Sequence, residues 1–476
     1  VAYQILSQAD FLREYYVTGH KINSRQYYPD REKVDEDTGR ITLEIMSRCA
    51  FPFQYIITIK QLAHLCGNNI EFKISTPLPT QSEYKTLDLF MQGWIHKNME
   101  VAWYESAKSE KITGDCAMCG FMYNGEFRYR ILSYLQGDVL YPHYDDMTGD
   151  LDAFGRRFSK YDSKGKEVIQ YLEVWDNDSY YKFEQITSGV KGTINKALEY
   201  FGLDGWKLIA SSPHGFPFIP IAYKRSDIGP CWSMSQDNIE NYELAVSYLS
   251  ENNKAFAFPI LYIFSGEQVE IKASQDGRPN AITSGDPSGK AGFAERGNGT
   301  QSFELQLKIL LDNIFRGSFA VNPPEIKGGD LPGVTVKLIY SPALEKAMAD
   351  ANEWNSYVDH IVNIFKYGYG IEMGKISDFT KLKVRGEIIP YVHQNVAETV
   401  SNLVQLVAGG ILSKESASSQ STYGSNGEYS RILKEERDKI MGLGREQNKI
   451  QDEEDKNNGM NENNRNKELI ANAQDN

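Results

Sequence analysis

The feature that most constrains this chain is an insert rich in glycine and mixed charge, residues 258–302, which separates two amphipathic helical segments. The first helical segment, residues 237–257, carries its apolar side chains at positions that share one helical face. These positions are Ile239, Tyr242, Val246 and Leu249. The segment ends before Phe258-Pro259, because the residue before a proline is pushed out of the helical region.

The second helical segment, residues 303–319, repeats this pattern. Its apolar positions are Phe303, Leu307, Leu310, Leu311 and Ile314, and it closes near Gly317 and the pair Pro323-Pro324. Neither helix is long or apolar enough to form a core with the other alone, so we expect both to pack against copies of the same chain. An ordinary helical core with a surface loop between its helices is the alternative.

A third and longer helix is predicted beyond the glycine-containing loop that starts at Lys327. Ser341 and Pro342 suit an N-cap and a first helical position. Apolar side chains then recur on one face for about six turns. They are Leu344, Ala347, Ala351, Trp354, Val358, Ile361 and Phe365.

The first half of the chain predicts a mixture of helices and strands. Helical spacing occurs in residues 6–16, 53–66 and, as one longer helix, 86–108. Residues 115–158 contain short aromatic and β-branched runs broken by the hairpin signals Asn124-Gly125, Gln136-Gly137 and Thr148-Gly149. Further strands fit residues 168–175, 180–185, 206–210 and 219–224, and a helix fits 396–408, closed by Gly409-Gly410.

Composition limits the classes of protein to which the chain can belong. A length of 476 residues, 41% of them hydrophobic and 24% charged, predicts a folded protein of two or more domains or subdomains. No run approaches the roughly 18 apolar residues of a membrane span, and the start lacks a signal peptide pattern, so we expect a protein that is made and kept inside a cell. The net charge of −13 argues against tight DNA binding, so DNA that meets this chain should be guided rather than held.

Motifs for catalysis or metal binding are incomplete. Cys116 and Cys119 form a Cys-x-x-Cys with no second ligand pair, which favours two small residues on a buried strand. The run 284–291 has three residues between its glycines where a phosphate-binding loop needs four. Acidic residues 145–152 fit a turn better than a calcium loop, and no Gly-x-Ser-x-Gly accompanies the histidines. We therefore predict no catalytic residue, metal or cofactor.

The order of several short segments matches a known family. They are Gly114-Asp115 with residues 125–130 and 139–142, then 214–221, 237–249, 303–315, 329–338 and 410–416. In this order they resemble the tailed-bacteriophage portal proteins, most closely the siphophage type, over residues 12–436. The chain departs from the family in the loop, where Leu331-Pro332-Gly333 begins the stretch that is usually "SGvAlk". Its final part is also short for the family.

The resemblance implies an α+β portal fold with a mixed α/β wing, a helical stem, a small clip insert and a short C-terminal crown or tail. The implied parts are the wing (1–230), the first stem helix (231–257), the clip (258–302), the second stem helix (303–321), the tunnel loop (322–341), the long helix with the rest of the wing (342–432) and a charged tail or small crown (433–476).

The resemblance also implies a function. Portal proteins form a ring, usually of twelve subunits, at one capsid vertex of the virion, and double-stranded DNA is packaged and ejected through it. The implied partners are the terminase large subunit, the head-tail connector or adaptor, and the major capsid and scaffolding proteins, with assembly in the host cytoplasm and no membrane.

Two groups of residues follow from this assignment. The tunnel loop would place Lys327, Gly328, Gly329, Asp330, Leu331, Pro332, Gly333 and Lys337 at the DNA channel. Lys327 and Lys337 would make transient phosphate contacts, although solvated turn residues are the alternative. The oligomer stem would use Ile239, Tyr242, Val246, Leu249, Phe303, Leu307, Leu310 and Ile314.

Two other classes remain open. A carbohydrate-active protein would explain the aromatic content of 12% and the surplus of acids, but it leaves the glycine-rich insert unexplained. Another head-structural protein would share a ring but not the order of stem, clip and tunnel loop.

Overall fold

The computed structural model describes residues 7–34, 39–186, 196–201, 205–257, 261–266, 269–273, 279–284, 288–293, 300–322, 333–391, 396–420 and 428–437. The chain divides into two compact units. The first contains residues 1–329 and 338–392, and the second contains residues 330–337 and 393–476. Helices and antiparallel sheets are interspersed along the chain, so the predicted α+β class is confirmed.

The helices of the described residues are α1 (Gln8–Tyr15), α2 (Phe53–Leu65), α3 (Gln81–His96), α4 (Met99–Thr113), α5 (Lys196–Glu199), α6 (Gln236–Ala257), α7 (Thr300–Gly317), α8 (Gly333–Glu372), α9 (Ile376–Lys381), α10 (Val396–Ala408), α11 (Lys414–Gln420) and a last one at 428–437. The two predicted helices that flank the insert, and the predicted helix 396–408, are therefore confirmed.

The strands are β1 (Arg31–Val34), β2 (Ile41–Glu44), β3 (Glu71–Ile74), β4 (Asp115–Tyr123), β5 (Glu126–Leu132), β6 (Val139–Tyr144), β7 (Leu151–Tyr161), β8 (Glu167–Asp176), β9 (Ser179–Gln185), β10 (Trp206–Pro213), β11 (Ile221–Arg225), β12 (Leu261–Phe264), β13 (Val269–Ala273), β14 (Pro279–Ser284), β15 (Lys290–Phe293) and β16 (Val384–Glu387). Each strand predicted beyond residue 165 is thus present, with small shifts at its ends.

Two antiparallel sheets form the strand-rich part of the first unit. Strands β6 to β10 make a five-stranded meander in chain order, and β11, β4 and β5 make a three-stranded sheet. Phe154 and Trp175 of the meander pack in one apolar cluster with Leu132 and Ile221 of the three-stranded sheet. The two sheets therefore share a core.

The largest core surrounds the second half of α8. Trp354, Val358 and Phe365 are buried there against α3, α4 and the three-stranded sheet. The rings of Trp354 and Trp103 meet edge to face with centroids 4.9 Å apart. The apolar face predicted for the third helix is therefore the face that this core buries.

The predicted helix over residues 86–108 is wrong as a single element. The chain instead forms α3 and α4, which are separated at Asn98. Asn98 adopts a left-handed backbone conformation with φ of 55°, which asparagine tolerates better than most residues. Hydrophobic periodicity continues across this break, and therefore the sequence pattern did not reveal it.

The start predicted for the third helix is also wrong. Helix α8 begins at Gly333, so Pro342 lies inside the helix and residues 333–341 are helical rather than part of a loop. Ser341 is not a cap, because its hydroxyl donates a hydrogen bond to Glu345 Oε1 at 2.9 Å. Pro342 has no N–H, so it offers no backbone donor to the carbonyl of Leu338.

Two of the three predicted hairpin turns are hairpins. Asn124-Gly125 connects the paired strands β4 and β5, and residues 145–150 connect β6 and β7. Gln136-Gly137 is a turn but not a hairpin, because β5 and β6 belong to different sheets. Gly137 has φ of 87° and follows a short 3-10 helix that redirects the chain from one sheet to the other.

The second unit contains α10, α11 and helix 428–437. Gly410 has φ of 69° and closes α10, as the Gly409-Gly410 signal predicted. Ser413 caps α11 by accepting a hydrogen bond from the Ser416 backbone N–H at 3.1 Å. Lys414 pairs with Glu436 at 2.5 Å, which links α11 to the last described helix. Beyond residue 437 the predicted charged tail lies outside the described residues.

None of the described helices is long and apolar enough to cross a membrane.

Candidate stem and channel segment

The helices α6 and α7 pack against each other within one chain. Ile239 on α6 and Ile314 on α7 meet in an apolar cluster that Phe53, Ile57 and Trp232 complete. The Ser235 hydroxyl donates to the Ile314 carbonyl at 2.8 Å and joins the start of α6 to the end of α7. The pair therefore completes its core with α2 and α4 of its own chain, which corrects the expectation that copies of the chain were needed.

The predicted stem residues divide by burial. Ile239 and Ile314 are both 0% exposed inside their own chain, so they present no surface to a neighbouring subunit. Tyr242 packs edge to face on Phe51 and Phe53, with centroids 5.4 and 5.3 Å apart. The others, Val246, Leu249, Phe303, Leu307 and Leu310, are partly exposed. Ile239, Ile314 and Tyr242 therefore stabilise the packing of α6 and α7 within one chain.

A second apolar face of α7 was not identified from the sequence. Leu305 is 60% exposed and Ile309 is 49% exposed, and the two lie one turn apart on the side of α7 that faces solvent. Their i, i+4 spacing was visible in the sequence. With two apolar stripes on one helix, however, the spacing alone does not say which stripe faces the core.

The N-terminal region is attached to α6 by buried polar contacts. Glu243, which is buried, lies 2.7 Å from His20 Nδ1 and accepts from the Phe51 backbone N–H at 2.8 Å. The Ser247 hydroxyl accepts from the Cys49 backbone N–H at 2.9 Å, and Glu251 accepts from the backbone N–H of Ser47. Because each acceptor lies one turn after the last, residues 47–51 run along one side of α6.

The insert between the stem helices contains two antiparallel ladders among its described residues. Strand β12 pairs with β15, with Leu261 opposite Phe293, and β13 pairs with β14, with Val269 opposite Ser284. The second pair lies between the strands of the first along the chain. The described part of the insert is therefore a nested pair of β-ladders that lies between α6 and α7 in the sequence.

The predicted tunnel loop is only partly described. Lys327, Gly328, Gly329, Asp330, Leu331 and Pro332 lie outside the described residues, and Gly333 and Lys337 belong to the first turns of α8. Of these residues, the structure therefore shows the backbone conformation of Gly333 and Lys337 alone. We name residues 323–332 the channel segment.

Helix α2 fixes the chain on both sides of the channel segment. Lys60 donates to the Val321 carbonyl at 2.5 Å, and Gln61 donates to the Ser318 carbonyl at 2.7 Å. On the other side, the rings of His64 and Tyr340 lie 5.7 Å apart. Burial lowers the pKa of Lys60, which is consistent with its position between α2 and the end of α7.

The turn after α7 contains a strained residue. Phe319 has φ of 54°, a region in which a non-glycine residue costs about 1–2 kcal/mol. The Ala320 backbone N–H bonds to the Phe315 carbonyl at 3.0 Å and holds the turn closed. A hydrogen-bonded turn therefore ends α7 shortly before the channel segment.

A buried ion cluster connects α4 to the first half of α8. Lys111 and Asp350 are 2.7 Å apart, and Lys346 lies 2.5 Å from the other oxygen of Asp350. Burial alone would lower the pKa of Lys111, but the nearby Glu110 and Asp350 carboxylates outweigh it and raise the pKa. Burial raises the pKa of Glu110. The cluster borders a cavity of about 260 Å³ that reaches Ser226 to Gly229.

The Cys-x-x-Cys does not form a metal or redox site. Cys116 and Cys119 lie on the buried strand β4 and belong to different apolar clusters, because residues three apart on a strand point to opposite faces. Burial raises the pKa of the Cys119 thiol to about 12. Within the described residues, no group of three or more His, Cys, Asp or Glu side chains is arranged to hold a metal ion.

The acidic run at residues 145–152 is a turn, as predicted. The Asp145 carboxylate accepts hydrogen bonds from the backbone N–H groups of Met147 and Thr148, at 2.9 and 2.8 Å. This is the bonding of an Asx turn, and it uses one of the carboxylate oxygens that a calcium ion would need.

Two comparisons relate the chain to known proteins. The family described as phage portal protein, SPP1 Gp6-like, matches residues 3–442. Among solved structures, a chain from the neck of an empty GTA particle computed with C6 symmetry is similar, with 10% sequence identity and a TM-score of 0.42. The match covers 80% of this chain and 90% of that chain. No curated protein matches the chain. The family match spans nearly the whole sequence and confirms the resemblance found there, so this chain belongs to the SPP1 Gp6-like family of phage portal proteins.

Proposed function

We propose that the chain assembles into a ring at one vertex of a phage capsid and serves as the conduit through which double-stranded DNA enters and leaves. Membership of a phage portal family already gives it a role at the connection between head and tail. The ring, its DNA passage and its docking partners extend that role.

The observation that carries the proposal is the order of parts along the chain. Helices α6 and α7 share a buried core, the β-ladders of residues 261–293 lie between these helices in the sequence, and the channel segment follows α7. The contacts of α2 with Val321 and Tyr340 hold both flanks of the channel segment. This arrangement supports a fixed frame that carries a segment able to meet DNA.

Electrostatics supports a conduit rather than a DNA-gripping protein. The chain carries a net charge of −13, and an acidic wall repels phosphates and keeps DNA from adhering while it slides. Lys327 in the channel segment and Lys337 at the start of α8 are the cations we propose for transient phosphate contact.

We also propose that the insert of residues 258–302 is the clip, which receives the terminase large subunit during packaging and the head-tail connector afterwards. The chain itself is proposed to catalyse nothing, so a separate motor must supply the energy. Membership of a structural family disfavours the carbohydrate-active alternative.

The first test is the mass of the purified chain. Native mass spectrometry with negative-stain imaging of end-on views should give a closed ring of about twelve copies around a central hole. A chain that remains monomeric at all accessible concentrations, or that forms open filaments, would refute the ring.

The second test concerns the channel segment. Deleting residues 327–332 should leave the number of subunits in the ring unchanged and reduce the amount of DNA packaged or retained in particles. A matched control replaces Gly328 and Gly329 by serine, which keeps the segment length. Normal genome filling by the deletion variant would remove the channel segment from the mechanism and leave the ring proposal intact.

A further inference from the structure

The cavity beside the ion cluster of α4 and α8 lies within the first compact unit and has a volume of about 260 Å³. Its walls come from α2, α4, α8 and the loop that follows β11; they include Gln61, Glu110, Asp227, Lys346, Asp350 and Glu353. One water molecule occupies about 30 Å³ in the liquid, so the space suits roughly eight waters, or one small ion with a few waters. It is smaller than most sites for drug-sized ligands.

The loop that walls the cavity is bonded to the end of α4 at two points. The Ser226 backbone N–H donates to the Gly114 carbonyl at 2.8 Å, and the Cys231 backbone N–H donates to the Lys111 carbonyl at 2.9 Å. Residues 226–231 therefore form a fixed wall, and the cavity belongs to the folded chain.

Two buried acceptors at this cavity have no hydrogen-bond partner within the part of the chain that the structure describes. They are Oε2 of Glu110, which is 5% exposed, and Oε1 of Gln61, which is 7% exposed. The Gln61 amide cannot be turned over, because its Nε2 donates to the Ser318 carbonyl at 2.7 Å. An unpaired buried acceptor is costly, and an unpaired carboxylate most of all, so both atoms indicate a ligand that donates hydrogen bonds.

Ion pairs inside the cavity use Asp350 and leave Glu110 aside. Lys111 and Lys346 lie 2.7 and 2.5 Å from the two oxygens of Asp350. Among the described residues, by contrast, Glu110 forms no ion pair. Burial raises the pKa of the Glu110 carboxyl, and the nearby Lys111 opposes this shift only in part. A positive group bound at Glu110 would remove this desolvation cost.

The opening of the cavity adds a negative charge. Asp227 and Glu353 are the exposed carboxylates of the lining, and Glu353 pairs with Lys224 at 3.0 Å. Inside the cavity two carboxylates balance two lysines, whereas at the opening two carboxylates face one lysine. The excess of one negative charge favours a monovalent cation and disfavours an anion.

We propose that this cavity binds one ammonium or guanidinium group, which donates hydrogen bonds to Glu110 and Gln61. Such a group supplies both the positive charge and the N–H donors that the two acceptors lack. A metal ion needs a larger set of ligands, and among the described residues no group of three or more His, Cys, Asp or Glu side chains is arranged to hold one.

This chemistry has two sources, a free amine or guanidine and a lysine or arginine side chain of a second copy of the chain. The site itself does not depend on the proposed ring, because every wall of the cavity belongs to one chain.

Calorimetric titration of the purified chain tests the site. Methylguanidinium chloride should bind once per chain and at least about tenfold more tightly than tetramethylammonium chloride, which has the same charge but no N–H donor. Potassium chloride should bind no more tightly than tetramethylammonium chloride. Equal affinity for the three cations would indicate an acidic cavity filled by water and would overturn the proposal.

Three variants locate the binding. Glu110→Gln keeps the side-chain volume and should weaken methylguanidinium binding by at least about tenfold, since a hydrogen bond to an ionised group is lost. Glu105→Gln makes the same change on the same helix but away from the cavity lining, so it is the matched control and should bind like the unmodified chain. Asp227→Asn changes an exposed position, where the fold tolerates substitution, and should weaken binding by about threefold. Binding by Glu110→Gln and Asp227→Asn that equals binding by Glu105→Gln would refute the site.

A second titration distinguishes the two sources of the cation. If the ligand is a free amine or guanidine, methylguanidinium should bind assembled and unassembled chains equally. If a side chain of a second copy occupies the cavity, assembled chains should lose the site and unassembled chains should keep it. A chain that never assembles would refute the proposed ring, and the first titration would still decide whether the site exists.

Discussion

Removing one partner from the buried ion cluster between α4 and α8 should destabilise the chain strongly and in a defined order. The side chains of Lys111 and Asp350 are each 6% exposed and 2.7 Å apart. Breaking such a buried pair costs about 3–5 kcal/mol, because it leaves a charge without compensation in a low-dielectric site. The variants to compare are Lys111→Met, Asp350→Asn and Lys346→Met.

The surroundings of each residue set the expected loss in the free energy of unfolding for each variant. In Lys111→Met, Asp350 keeps Lys346 at 2.5 Å, so we expect a cost of about 3 kcal/mol. In Asp350→Asn, two lysines lose their shared carboxylate although Glu110 remains near Lys111, so we expect about 5 kcal/mol. Lys346 is more exposed, at 24%, and its loss should cost about 1 kcal/mol.

Urea denaturation followed by tryptophan fluorescence measures these free energies of unfolding. Trp103 on α4 and Trp354 on α8 are buried against each other, so their emission reports on the two helices that the cluster joins. A Lys111→Met/Asp350→Leu variant should recover much of the loss, since apolar groups of similar volume need no charge compensation. If Lys111→Met costs no more than Lys346→Met, the pair does not stabilise this junction and the reasoning fails.

Three further predictions follow from individual sites. Gly368→Ala should lower the free energy of unfolding by about 1–3 kcal/mol in calorimetry, because the new Cβ would lie 2.1 Å from the Phe127 ring; a neutral result would show that this ring can move. Burial raises the pKa of Asp115 to about 6, above its unfolded value, so its contribution to stability is complete below about pH 4 and lost as pH rises through 6. Asp115→Asn should therefore be more stable than the unmodified chain at pH 7.5, by up to about 3 kcal/mol, and equal to it at pH 3.5; a constant difference would exclude this titration. Finally, a thiol reagent at pH 7.5 should modify Cys49 well before Cys119, which is buried; equal rates in the native chain would contradict the burial of strand β4.

The hydrophobic pattern of the sequence was sufficient to predict elements whose formation depends on residues close together along the chain. The segment predicted at 237–257 is α6 at Gln236–Ala257, because i, i+3 and i+4 apolar spacing is a local property. Breaks in this local pattern were harder to predict. Asn98 separates α3 from α4 without glycine or proline, and Pro342 lies within α8 although proline is more typical of a first helical turn.

The order of stem, insert, loop and long helix also came from the sequence, and with it the family, which the match over residues 3–442 confirms. The assignment of Gly333 and Lys337 to a loop was not supported, because both are in α8. For the rest of the channel segment, the assignment to a channel remains a prediction.

The sequence by itself determined the helices α6, α7 and α10, the strands between residues 115 and 225, and the family to which the chain belongs, because hydrophobic periodicity and the order of segments are local properties of the chain. Only the tertiary structure decided which face of each element is covered. Ile314 and Ile309 lie on one helix and are equally apolar, yet the first is fully buried by α2 and α6 and the second is 49% exposed. That difference depends on residues such as Phe53, which is distant in the sequence but packs in the cluster that buries Ile314. A local sequence pattern does not specify which distant residues come together.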